Sequence, residues 1–104
     1  MNVWSVSLTK RAATDLDQIF SYIATTLLEP ETATRQVSRI RDSLLKLDHF
    51  PERCSLLARE PWQSQGLRYL VIDNYMAIFK LNEDQKAISI ITIVYAKRNL
   101  RDLL

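Results

Sequence analysis

From Trp4 onward the chain alternates, with Trp4, Val6 and Leu8 set against Ser5 and Ser7. Branched and aromatic residues at period two predict a half-buried strand over Val3 to Leu8. The period then lengthens. Ala12, Leu16, Ile19, Phe20, Ile23 and Leu27 recur at helical spacing, which predicts a helix from about Lys10 to Leu27 with Thr9 as its cap. Asp15 and Asp17 fall off that apolar stripe and are expected to face solvent. Pro30 and Glu31 suit the first turn of a second helix, where proline loses no hydrogen bond and acid meets the positive end of the dipole. Ala33, Val37, Ile40, Leu44 and Leu47 form its stripe, and Arg35, Arg39, Arg41 and Lys46 occupy the other faces. So short a link makes the pair an antiparallel hairpin.

Asp48 to Gln65 has no clear period and carries Pro51 and Pro61, so it reads as a connection or long ordered loop. At Gly66 the period returns to two. Leu67 to Ile72, Tyr75 to Leu81 and Ala87 to Tyr95 predict strands joined by turns at Asp73-Asn74 and at Asn82 to Gln85. The last strand is apolar on both faces, with Ile91, Ile93 and Tyr95 on one and Ile88, Ile90 and Val94 on the other, which places it centrally. Lys97 to Leu104 is basic and amphipathic, enough for one or two helical turns. The expected fold is α+β, a single domain over residues 1–104 with two helices packed on an antiparallel sheet. Because the helices cover one sheet face, the loop, the tail or a partner must cover the other.

Composition narrows the function without naming it. At 104 residues, 47% apolar and 25% charged, the chain suits one core. Its start lacks the pattern of a signal peptide, and the longest apolar stretch is too short to cross a bilayer. The lone Cys54 has no disulfide partner and no companion ligands for a metal, and no cofactor motif occurs. These features predict a cytoplasmic protein without membrane, metal or cofactor. A net charge of +2 permits an acidic partner or a nucleic acid and requires neither.

The element order resembles the RelE/ParE superfamily of type II toxins over the whole chain, and local stretches carry the likeness further. They are Leu8-Thr9-Lys10-Arg11-Ala12 with Asp15-Leu16 and Ile19 through Tyr22-Ile23, then Phe50-Pro51. Next come Gly66-Leu67-Arg68 with Val71 and Asn74-Tyr75, and finally Ile93-Val94-Tyr95-Ala96-Lys97-Arg98. The resemblance implies a growth-inhibiting toxin blocked by a cognate antitoxin. RelE-like members cut mRNA in the ribosomal A site; ParE-like members inhibit DNA gyrase. A member reduced to a subunit of an antitoxin-repressor complex is a third possibility.

Metal-free RNA cleavage needs a base for the 2′-OH, an acid for the leaving 5′-oxygen and cations for charge building on the phosphate. Arg68 and Arg98 fall where the resemblance implies such cations, and a guanidinium can grip phosphate with paired hydrogen bonds. Tyr75 and Tyr95 could donate a proton, or could simply pack in their strands with the hydroxyl at an edge. Lys97, Arg101 and Trp62 are candidates for contact with RNA or target, Trp62 by stacking. The set departs from the RelE pattern: Leu104 replaces the tail tyrosine, Met76 stands where an arginine is expected, and His49 lies in the loop beside Phe50-Pro51. Arg68 could instead pair with Asp73 or Glu83, and Trp62 could buttress its loop. In a ParE-like member Arg35, Arg39 and Arg41 would be contact residues.

Overall fold

The computed structural model describes residues 3–58 and 60–96. Strand β1 spans Ser5–Leu8 and sends Val6 into the core beside buried Trp4, while Leu8 stays largely exposed. Trp4 is pinned by its N–H to the Asp48 carbonyl at 2.9 Å, and the Lys86 ammonium lies 4.8 Å over its ring. Thr9 caps α1 (Lys10–Ser21), its hydroxyl accepting from the Ala12 N–H at 3.2 Å. The expected helix continues to Leu27, but its last stretch, Tyr22–Thr26, widens into a π-helical turn. Leu28 reverses the chain in a left-handed conformation, φ 58°. Helix α2 (Pro30–Leu45) then starts on proline with Glu31 in its first turn and buries Ala33, Ile40 and Leu44.

Strands β2 (Arg68–Ile72), β3 (Tyr75–Asn82) and β4 (Ala87–Tyr95) form an antiparallel meander. Asp73 turns the first hairpin at φ 55° and Lys86 the second at φ 50°. The sheet order is β1-β4-β3-β2, which puts the apolar β4 between two neighbours as its composition requires. One expectation changes. Strand β1 runs parallel to β4, so the sheet is mixed and not wholly antiparallel. A parallel pair cannot be closed by a tight turn, and here nearly the entire chain forms the crossover.

The helical hairpin covers one face of the sheet. Its core gathers Leu16, Ile40, Leu44, Leu47, Ile72, Phe79, Ile88, Ile90 and Ile93. On the opposite face Met76, Ile78 and Val94 pack with Leu57 and Leu67, and Trp62, Tyr69, Ile91 and Ala96 rest against them. The segment that lacks a period in sequence thus folds back over the sheet. It pairs with the start of β2 first, through Leu57 N–H to the Leu67 carbonyl at 2.8 Å and Tyr69 N–H to the Ser55 carbonyl at 3.1 Å.

The division of β4 also departs from strict alternation. Ile93 joins Ile88 and Ile90 on the helix side, while Val94 joins Ile91 on the loop side. The cause is a β-bulge: Ile78 pairs with Thr92 but Phe79 with Ile90, which leaves Ile91 without a partner of its own.

Candidate functional site

Arg68 opens β2 and is half-buried. Its guanidinium reaches neither Asp73 nor Glu83. It donates to the Cys54 carbonyl at 2.5 Å and the Glu52 carbonyl at 3.3 Å, fastening the turn that follows Pro51 to the sheet edge. Arg53 closes the turn on itself one step upstream, donating to the carbonyls of His49 at 2.8 Å and Phe50 at 3.0 Å. This turn needs fastening, because Phe50 sits at φ 53° immediately before a proline, a position that disfavours helical backbone. Burial pushes the Cys54 thiol above its ordinary pKa against the opposing pull of Arg53 and Arg68, so the thiol stays protonated. His49 is exposed, with its Nδ1 2.6 Å from an Asp48 carboxylate oxygen.

Tyr95 ends β4 opposite Tyr75, the first residue of β3. Their rings meet edge to face, 5.8 Å between centroids and 78° between planes. Tyr22, from the π-helical turn, adds to their surroundings. The Tyr75 phenol is held above its ordinary pKa by burial first, then by its neighbours Tyr95 and Tyr22. The hydroxyl of Tyr75 is therefore a donor at neutral pH. Tyr22 and Tyr95 are 55% and 40% exposed, so part of each ring is open to a partner. Beside this end of the sheet, Arg39 of α2 bonds one oxygen of Asp73 at 2.6 Å and Gln36 bonds the other at 3.1 Å.

These candidates do not converge. Arg68 shares a rank of the sheet with Phe79 and Ile90, whereas Tyr95 shares one with Tyr75 and Ile72. Four residues along the strand and two interstrand steps separate their backbones, roughly 16 Å, and the Arg68 guanidinium is turned to the loop carbonyls. Trp62 lies elsewhere again, half-buried over the loop-side cluster. Met76 is buried under that loop. Lys97, Arg98 and Arg101 lie outside the described residues, as does the expected tail helix. Among the described residues no His, Cys, Asp and Glu group could hold a metal ion.

The model of the ParE toxin of type II toxin-antitoxin systems matches residues 6–100. The chain belongs to this family. Its fold is similar to that in the chromosomal ParDE system of P. aeruginosa, at 26% identity over 93% of this chain and 100% of that one, TM-score 0.76. It is also similar to the RelBE2 toxin-antitoxin complex of Mycobacterium tuberculosis, at 17% identity over 89% and 98%, TM-score 0.68. The intact RelBE complex of E. coli matches at 12% identity over 91% and 99%, TM-score 0.57. At such identities the RelBE likenesses show the fold alone. No curated protein sequence matches.

Two features of this ParE-family chain escape a reading of periodicity. Asp15 is half-buried, not solvated: one carboxylate oxygen accepts from Thr92 Oγ1 at 2.5 Å and from the Ile93 N–H at 3.0 Å. Arg39 is engaged with Asp73, so two residues 34 positions apart tie α2 to the β2–β3 turn. The one signal for Asp15 in the sequence is its register, seven residues or two turns before Tyr22, on the flank of the stripe that faces β4.

Proposed function

We propose that this toxin is neutralised by a cognate antitoxin and arrests growth by binding DNA gyrase, as ParE-like members do, without cutting mRNA. One observation carries the choice: the Arg68 guanidinium is spent on two backbone carbonyls and stands ranks away from Tyr95. A ribonuclease needs cation and proton donor on the same phosphate. A surface open to a partner is the end of the sheet where Tyr22 and Tyr95 are exposed beside Arg39. Tyrosine and arginine in company are the residues that most often dominate a protein interface. The ribonuclease reading rests on Tyr95 acting with Arg98, three residues on.

The test compares two assays on the purified chain. Gyrase supercoiling is expected to stop while translation in a cell-free extract continues, and adding antitoxin restores supercoiling. Defined cuts in ribosome-bound mRNA, with gyrase untouched, would reverse the assignment. In either assay Arg98→Ala is expected to remove activity without unfolding the chain.

A further inference from the structure

The bulge in β4 decides where Tyr95 points. In an unbroken strand Ile91, Ile93 and Tyr95 would share the loop-covered face. The extra residue at Ile91 reverses the alternation beyond it, so Ile93 enters the helix-side core and Tyr95 meets Tyr75 edge-on. A bulge costs ladder hydrogen bonds and persists where its surroundings hold it. Helix α1 holds this one from both sides. The Thr9 hydroxyl lies 2.8 Å from the Ile90 carbonyl and 3.0 Å from that of Ile91. Asp15 takes the Thr92 hydroxyl and the Ile93 N–H on the far side.

The two grips are matched in length. Six helical residues from Thr9 to Asp15 advance about 9 Å, and three strand residues from Ile90 to Ile93 about 10 Å. Thr92 has no exposed surface and, among the described residues, is the only polar one in the buried set. Its hydroxyl is satisfied by Asp15. A valine there would fill the same space and leave the carboxylate with one donor.

We infer that Asp15 is a positioning residue for toxicity: it locks the bulge that turns Tyr95 onto the helix side, beside Tyr75. The inference rests on the reading of this edge as the target contact. Asp15 meets no target itself and acts through Tyr95. Asp15→Asn keeps an amide oxygen able to accept both bonds, and Asp15→Ala keeps none.

The experiment compares wild type, Asp15→Asn, Asp15→Ala and Tyr95→Ala. It reads growth inhibition, antitoxin binding, and the through-space NMR cross-peaks between the rings of Tyr75 and Tyr95. Asp15→Ala is expected to lose those cross-peaks and to inhibit roughly tenfold more weakly or worse, as Tyr95→Ala does. Asp15→Asn is expected to retain both. Should Asp15→Ala fail to fold, Thr92→Val removes one donor while sparing the backbone bond, and the same two readouts are expected to fall together. The inference is overturned if either variant keeps the ring contact, or loses it and still inhibits like wild type. A wild-type chain that cuts mRNA and spares gyrase overturns the reading of the target, whereas the cross-peaks still decide whether Asp15 places Tyr95.

Discussion

Arg68 grips the carbonyl of Cys54 at 2.5 Å, so the first cation of the sheet holds the loop against the sheet edge. Removing it orphans a carbonyl beside a turn already bent at Phe50. Arg68→Ala is expected to cost about 1–3 kcal/mol, seen as an earlier midpoint in urea. Arg68→Lys is expected to recover part of this, since one nitrogen, Nη1, makes both bonds and an ammonium also carries donors enough for two. Wild-type stability in the alanine variant would mean that the guanidinium is free for other work.

The Arg39–Asp73 pair predicts a smaller number. Its distance of 2.6 Å is short, but the Arg39 side chain is 68% exposed and water screens the attraction. A double-mutant cycle with Arg39→Ala and Asp73→Ala is expected to yield no more than about 1 kcal/mol of coupling. Salt should erode it. A coupling of several kcal/mol that survives high salt would show that the pair is better shielded than its exposure implies.

Tyr75 predicts the alkaline limit. Its folded pKa lies above the ordinary tyrosine value of 10.0. The folded state therefore holds this proton more tightly than the unfolded chain does. The stabilisation is complete below the unfolded pKa and is lost as pH rises through the folded one. Unfolding midpoints are expected to fall above pH 10, and Tyr75→Phe should flatten that fall. An unchanged slope would assign the loss to other groups.

Trp62 is expected to act as a cover and not as a stacking platform. It is half-buried against the cluster of Leu57, Leu67, Met76, Ile78 and Val94. Trp62→Ala should lower the thermal midpoint, by about 1–3 kcal/mol of stability for partly buried apolar area. Trp62→Phe should lower it less. Growth inhibition at a permissive temperature should survive both, and its selective loss with stability intact would restore a contact role.

Much of the architecture was legible because helices and strands impose different periods on the same apolar residues. The cap at Thr9, the proline start of α2 and the turn at Asp73 each carried a local signal. The bulge carried none. In Ala87–Tyr95 both faces are apolar, so an inserted residue changes no contrast, and strict alternation groups Ile93 with Ile91 when it belongs with Ile90. Asp15 escapes the pattern for a related reason. Periodicity says that a carboxylate is off the stripe; it cannot say that a distant threonine and amide are waiting for it. Arg68 looked available because its acceptors are carbonyls, which every residue possesses and no sequence advertises.

Strand β1 pairs with β4, the farthest along the chain of the four described strands: Ser5 lies opposite Ala87 and Leu8 opposite Ile90. A chain emerging from the ribosome therefore carries β1 unpaired until β4 has been synthesised. Thr9 and Asp15 likewise wait for bonding partners 77 to 82 residues downstream. Such distant pairings close slowly. A truncated product lacking β4 would have neither the central strand nor Tyr95, and β1 and β3 would both be left without their shared partner.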